Sequence, residues 1–155
     1  MWIEYYNKET KILTIPHNFN EELKDIPEET EIIIFGEEFN QPVDNLPKNL
    51  THLTFGFYFN HSIDNLPKNL TELILGYSFN KSIDNLPENL THLTLDYCFN
   101  QSVDKLPKNI THLTFGARFN QSVDNLPKNL TYLSFGRQTP VRLAHPKIMN
   151  IFIIV

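Results

Sequence analysis

A Phe-Asn pair recurs every 20 residues along this chain of 155, with no insertion between the copies. This period constrains the fold more than any other feature, because one block of 20 residues has nothing against which to bury its apolar side chains. Stacked on near-identical neighbours, the same block contributes to a continuous core. The six pairs stand at 19–20, 39–40, 59–60, 79–80, 99–100 and 119–120. The chain is therefore expected to fold as a solenoid.

The apolar residues inside each block predict its local structure. Leu53 and Phe55 alternate with polar residues, as inward and outward side chains do in a short strand. A proline follows a leucine on the return path, as in Leu66-Pro67, and proline pushes its predecessor towards an extended conformation. The predicted fold is a leucine-rich-repeat-like, mainly β solenoid of right-handed 20-residue coils. A parallel sheet lines its concave side, extended or polyproline-like segments form its convex side, and it has little helix.

The register extends beyond the clear repeats and predicts a single domain with three parts. Counting in steps of 20 predicts a first strand at about 12–15 and a last one at 151–155. Residues 1–7, followed by a polar turn, are expected to pair back as a cap. The predicted parts are 1–18 for the cap and first rung, 19–38, 39–58, 59–78, 79–98, 99–118 and 119–138 for six repeats, and 139–155 for a C-terminal partial repeat.

The string L-x-x-L-x-[FL]-G-x-x-F-N, together with FNxxxDNLPxNLTxL, resembles the FNIP repeat, a leucine-rich-repeat relative found in social amoebae and amoebal giant viruses. The resemblance covers residues 19–138. It implies the solenoid fold and a protein-binding habit, and it implies no reaction. Some viral members carry an F-box before the repeats. Because the rungs begin near residue 12, this sequence is expected to lack one.

Composition and motifs exclude several classes of function. A net charge of −5 and a pI near 5.6 argue against nucleic-acid binding. No stretch approaches the ~20 apolar residues of a membrane helix, and the first residues do not form a signal peptide, so a cytoplasmic protein is expected. Cys98 stands alone, which excludes an internal disulfide. Without a nucleophile elbow or phosphate loop, neither an enzyme nor a cofactor is predicted.

The asparagine of each Phe-Asn pair is expected to have a structural role. A repeated amide at a repeated bend can satisfy backbone groups that the strand leaves open. The predicted internal ladder consists of Asn40, Asn60, Asn80, Asn100 and Asn120. Glycosylation sequons such as Asn49-Leu50-Thr51 recur because the coil recurs, and no glycan is expected on them.

Outward strand positions vary between repeats while the core positions do not, as expected of a tunable surface on a fixed scaffold. Large aromatic residues and arginine dominate interface energetics, so a protein partner is predicted to bind here. The alternative is that the rings are peripheral packing at the sheet edge. The predicted binding residues are Phe57, Tyr77 and Tyr97 at the strand exit, His52, Glu72, His92, His112 and Tyr132 on the strand face, and Arg118 and Arg137 beside the rings.

Two other hypotheses follow from the same columns and from the ends. His92, His112, Glu72 and Asp96 could hold a divalent metal, although repeated histidines are more simply solvated copies of one another. Phe152, Ile153 and Ile154 would form an apolar edge strand that invites self-association, unless 139–150 covers it. Residues 1–45 carry eleven acids and three bases, whereas 101–155 carry two acids and seven bases. This asymmetry favours a homo-oligomer with head-to-tail contacts.

Overall fold

The computed structural model describes residues 5–136 and the backbone of 152–154. Nine strands form one sheet in chain order. They are β1 (Tyr6–Asn7), β2 (Ile12–Thr14), β3 (Ile32–Ile34), β4 (His52–Thr54), β5 (Glu72–Leu75), β6 (His92–Leu95), β7 (His112–Phe115), β8 (Tyr132–Phe135) and β9 (Phe152–Ile154). The described residues contain no helix, and so none that could cross a membrane. The predicted mainly β solenoid is confirmed.

All strands from β2 to β9 run parallel, and each residue pairs with the residue 20 positions further along the chain. Leu53, for example, lies opposite Leu73, and Leu73 lies opposite Leu93. A shift of one residue would turn every inward side chain outward, so the buried leucines specify this register. The period read from the sequence is therefore the period of the sheet.

Tight turns close each coil between the strand and its return path. The amide of Phe39 donates to the carbonyl of Gly36 at 3.3 Å, and the amide of Leu50 donates to the carbonyl of Pro47 at 3.2 Å. The residues between these turns are irregular and unpaired with other strands. The return path thus changes direction several times, as a 20-residue coil must in order to come back to its starting edge.

The core is a set of columns that run through the stack. Five of the six phenylalanines of the Phe-Asn pairs, together with Phe115, are its largest fully buried side chains, and the sixth, Phe19, is partly buried. The rings of the Phe-Asn phenylalanines lie about parallel in successive coils, with centroids 6.2 to 6.3 Å apart from Phe39 to Phe119. Each coil therefore buries its apolar residues against its two neighbours and not only within itself.

The N-terminal end of the stack is covered by β1. This strand runs antiparallel to β2, with Tyr6 opposite Leu13. The Tyr6 side chain is 8% exposed and belongs to the core, with its hydroxyl near Thr30. Thr30 occupies the position at which the other coils have leucine or isoleucine, such as Leu50. At this end of the column of apolar residues, the smaller threonine side chain therefore lies beside Tyr6. Residues 1–4 of the predicted cap lie outside the described part of the chain.

The predicted asparagine ladder joins one coil to the next. The side-chain oxygen of Asn40 accepts from the amide of Asn60 at 3.0 Å, and that of Asn60 accepts from the amide of Asn80 at 2.9 Å. The pattern continues to Asn120. The predicted ladder of amides that satisfy backbone groups at the bend is therefore confirmed, with Asn40, Asn60 and Asn100 half-buried and Asn80 and Asn120 exposed.

The sequon asparagines form a second ladder that the sequence analysis missed. Asn49 Nδ2 donates to the carbonyl of Glu28 at 3.1 Å, and Asn69 Nδ2 donates to the carbonyl of Lys48 at 3.0 Å. The same bond recurs in the three following coils. These amides recur because each one satisfies a carbonyl of the preceding coil.

Candidate protein-interaction surface

The outward column of the sheet carries the predicted histidines. The rings of His92 and His112 stack with centroids 4.2 Å apart, and His112 lies 5.6 Å from the Tyr132 ring. At the other end of the column, His52 Nε2 lies 3.6 Å from a carboxylate oxygen of Glu72. The structure therefore brings all five predicted strand-face residues into one continuous row.

Threonines behind the histidines fix the orientation of the rings. The Thr91 hydroxyl donates its one proton to the carbonyl of Thr71, 3.0 Å away, and lies 2.9 Å from His92 Nδ1. Since the hydroxyl proton is already used, Nδ1 must carry hydrogen and donate to the threonine oxygen. His52 and His112 have the same arrangement. Nδ1 of His92 and His112 is thus bonded within its own coil, and Nε2 is the nitrogen that a partner can reach.

The four residues named as candidate metal ligands are not brought together in the structure. Asp96 lies four residues beyond His92, which is about 13 Å along an extended strand. Stacked imidazoles also direct their nitrogens side by side and not towards a common point, and Glu72 is paired with His52. Within the described residues, no group of three or more His, Cys, Asp or Glu side chains could hold a metal ion.

The predicted aromatic residues occupy the turn that follows each strand. Phe57 and Tyr77 are the first of two turn residues in their coils. Their carbonyls accept from the amides of Ser78 and Cys98 in the next coil, at 2.9 and 3.0 Å. The backbone that carries the rings is therefore fixed by bonds between coils, and the rings project from a rigid support.

Phe57, Tyr77 and Tyr97, here called the aromatic stripe, form one stack. The centroids of the first two rings are 4.3 Å apart and those of the last two are 4.7 Å apart, with interplanar angles of 7° and 4°. This spacing follows the distance between coils, about 4.8 Å. Because the rings lie face to face, the stripe presents their edges to solvent.

The two ends of the aromatic stripe differ in charge. The Arg118 guanidinium lies over the Tyr97 ring, 5.1 Å from its centroid, as the sequence analysis predicted. Glu37 precedes Phe57 in the same turn column and pairs with His17 at 3.7 Å. Along the solenoid axis, this edge therefore changes from acidic through aromatic to basic.

Tyr58 is the residue of this surface that the sequence analysis missed. It is 54% exposed, more than any other large hydrophobic residue in the described chain. Its ring meets Phe57 edge-on, with centroids 4.8 Å apart and an interplanar angle of 65°. Its position is held by Glu38, Ser78, Cys98 and Arg118 in other coils. The sequence did contain a signal for Tyr58, because its position varies between coils and directly follows Phe57, a predicted binding residue.

The remaining predicted residues belong to the C-terminal part of the chain. Arg137 lies outside the described residues, as does the 139–150 segment. For Phe152, Ile153 and Ile154 only the backbone is described, and it pairs parallel with β8. The self-association edge therefore stays a prediction.

A stack of parallel strands with buried leucine columns and a variable outer surface defines a solenoid scaffold of the leucine-rich-repeat class. The chain belongs to the FNIP repeat family, whose model, described as FNIP Repeat, matches residues 19–58, 42–78, 59–98 and 99–138. The family predicted from the Phe-Asn and L-x-x-L-x-[FL]-G strings is thus confirmed.

A solved structure supports the same assignment. CroV588, described as a novel circular LRR protein structure, is 38% identical to this chain with a TM-score of 0.70. The match covers 83% of this chain and 24% of that one, so this chain spans about a quarter of that protein's length. No curated protein matches the chain. Repeat scaffolds of this class are typical of protein-interaction modules.

Proposed function

We propose that the protein is a non-catalytic interaction module that binds a protein partner through its outer sheet face and the aromatic stripe. The observation that carries this proposal is the stack of Phe57, Tyr77 and Tyr97 outside the core. Phe57 remains 39% exposed although it contacts two other rings. Exposed aromatic rings on a rigid backbone are typical centres of protein interfaces.

The alternative, that the rings are peripheral packing, is weakened by comparison between coils. The same turn position holds Glu37 in one coil and Ala117 in another, and both coils have a strand followed by the same two-residue turn. A large ring is therefore not required to form the turn. The core columns beneath the stripe are also complete without it.

A pull-down from amoebal cell lysate, read by mass spectrometry, tests the proposal. The bait variant F57A/Y77A/Y97A removes the stripe, and alanine is already present at the equivalent Ala117. The matched control is K68A/E88A/K108A on the opposite turn, where the ladder uses only the backbone carbonyls. Circular dichroism and thermal unfolding establish that all baits are folded.

We expect a partner to be retained by wild type and by the control and lost by the stripe variant. Loss of binding without loss of fold would place the partner on the stripe. Recovery of the same proteins by all three folded baits would mean that the stripe is packing, and the proposal would fail.

Self-association is a second candidate function, favoured by the sheet edge at β9. No strand in the described part of the chain pairs with the outer edge of β9, and an unpaired edge can accept a strand from another molecule. The acidic first third and basic last third would align successive copies. Sedimentation of the wild-type protein at several concentrations tests for self-association, and the variant Ile153→Lys should dissolve any oligomer. A wild-type mass that does not change with concentration would exclude self-association.

A further inference from the structure

The strand-exit turns place charge and aromatic surface in a fixed order along the solenoid axis. Each turn contributes two residues. From one coil to the next these pairs are Glu37-Glu38, Phe57-Tyr58, Tyr77-Ser78, Tyr97-Cys98 and Ala117-Arg118. The series, here called the exit strip, has two carboxylates at one end and a guanidinium at the other. Its backbone is held by a hydrogen bond between each turn and the next, at 2.9 to 3.1 Å.

The basic end of the exit strip is already organised. Arg118 lies over the face of Tyr97, an arrangement that holds a cation near an aromatic ring. The guanidinium is exposed and can still donate to a carboxylate of a partner.

The acidic end of the exit strip has the complementary chemistry. Phe57 and Tyr58 meet at 65°, so their two ring surfaces form an open corner, and both are exposed. The amide of Tyr58 donates to the carbonyl of Glu37 at 3.0 Å, which places the acidic turn directly beside this corner. An aromatic surface flanked by carboxylates favours a lysine or arginine side chain.

The stacked rings between the two ends limit what the middle of the strip can bind. The surfaces that these rings turn towards one another are covered at 4.3 and 4.7 Å, and Arg118 lies over Tyr97, so a sugar ring or a nucleobase cannot stack between them. Ring edges accept apolar side chains and backbone carbonyls instead. These contacts suit a polypeptide segment.

We propose that the exit strip binds one extended peptide segment of the partner, with a defined direction of charge. A basic side chain lies on Phe57 and Tyr58 beside Glu37 and Glu38, and an acidic side chain pairs with Arg118. The step from the Phe57 coil to the Arg118 coil is three coils, about 14 Å. An extended peptide covers this distance in about four to five residues. This inference rests on the proposed function and adds the class and polarity of the ligand.

Selection of random linear peptides displayed on phage, with the full chain immobilised, tests the inference. The expected consensus has a basic residue and an acidic residue four or five positions apart, with apolar residues between them. Peptides selected on wild type would then be synthesised, and their affinities measured by fluorescence anisotropy.

The decisive variant exchanges the charges at the two ends. Positions 38 and 118 are equivalent in their turns, and the variant E38R/R118E exchanges the two residues that the chain already carries there. The fold should therefore tolerate both changes, and the net charge is unchanged. The matched control is E28K/K108E on the return turn. That column already contains both lysine and glutamate, and the control also keeps the net charge.

The peptides selected on wild type should bind E38R/R118E about tenfold more weakly or worse, because the contact at residue 118 becomes repulsive and the basic side chain at the other end meets one arginine and only one remaining carboxylate, Glu37. Versions of these peptides with their charges exchanged should recover affinity for E38R/R118E, and the control variant should bind as wild type does. Equal binding of the selected peptides to wild type and E38R/R118E would overturn the inference. So would the absence of any enriched peptide. A partner lost by F57A/Y77A/Y97A in the pull-down would leave the proposed function standing in either case.

Discussion

At the scale of single residues, Gly76 shows how closely successive coils approach after the strand. A Cβ atom at this position would lie 2.1 Å from the carbonyl oxygen of Gly56, an approach that real side chains do not make. The atom in the way is backbone, which cannot turn aside as a flexible side chain can. Glycine is therefore required here by space and not by an unusual backbone angle.

Replacing Gly76 with alanine should lower the free energy of unfolding by about 2 kcal/mol or more, because the coils must move apart. Urea unfolding measures the change. Asp96 occupies the equivalent position one coil later, so Asp96→Ala is the matched control and should cost less than about 1 kcal/mol. Equal losses for the two variants would show that the contact between Gly76 and Gly56 is not limiting.

Tyr6 offers a second residue-scale prediction at the end of the core. Its hydroxyl is buried without a hydrogen-bond partner in the described structure, and burial raises the pKa of this phenol. Tyr6→Phe should leave stability unchanged or raise it by up to about 1 kcal/mol, because an unsatisfied polar group is removed. Tyr6→Ala should cost about 3 kcal/mol, since it opens the end of the stack. Thermal unfolding of the pair separates the two contributions; a destabilised Tyr6→Phe variant would show that the hydroxyl does find a partner.

At the scale of elements, polar side chains on the return path form rows that bind one coil to the next. Asn85 Nδ2 donates to Asp64 Oδ1 at 3.0 Å, and Asn125 Nδ2 donates to Asp104 Oδ1 at 2.9 Å. A serine of the same coil also donates to each carboxylate. These bonds hold the pKa of each aspartate below its ordinary value. Ser62 has the largest effect on the pKa of Asp64, and Asn125 has the largest effect on that of Asp104.

The direction of these shifts predicts how stability depends on pH. Because the folded-state pKa is lowered, the carboxylates contribute stability above the ordinary value of 3.8, and this contribution is lost as the pH falls through the lowered value. The variant D64N/D104N should therefore show a smaller decrease in urea midpoint between pH 6 and strong acid than wild type does. The control is E28Q/E88Q, which alters two exposed carboxylates on another turn. An unchanged acid response in D64N/D104N would contradict the prediction.

The strands and their register could be predicted from the sequence, whereas the turns could not. Leu53 and Phe55 reveal a strand because their alternation reflects burial, and the period of 20 then places every neighbour. The return path depends on where Leu50 and Phe39 bond back to preceding carbonyls, which no alternation records. The role of Asn49 could not be predicted either. The same residues, Asn49-Leu50-Thr51, are consistent with a glycosylation sequon and with an amide that bonds to the preceding coil.

The candidate surface was predictable in part. Phe57, Tyr77 and Tyr97 stood out as large residues in a variable column with Arg118 beside it, and the structure brings neighbouring members of this set into contact. Tyr58 was missed because the variation between coils was compared at the first residue of each turn and not at the second. The candidate metal ligands Asp96 and His92 are not neighbours in the structure, because residues on one strand face can still lie far apart along the strand.

At the scale of the whole molecule, the uniform period means that coils can be removed in units. Deleting residues 79–98 joins two coils in the original register, so the shortened chain should fold into the same solenoid with somewhat lower stability. Deleting residues 79–97 removes one residue fewer, and every buried side chain beyond the junction would face the wrong way. Circular dichroism and urea unfolding compare the two chains. A cooperative unfolding transition of equal stability in both would contradict the importance of the register.

The polar ladders and the phenylalanine columns make every internal coil a near substitute for the next, and this has a genetic consequence. Each coil is encoded by the same whole number of codons, and neighbouring units are similar in sequence. Unequal recombination between such units adds or deletes complete coils and preserves the reading frame, so the length of the binding surface can change in one event. The order of residues along the exit strip would then be rearranged by exchange of coils before any single codon has changed.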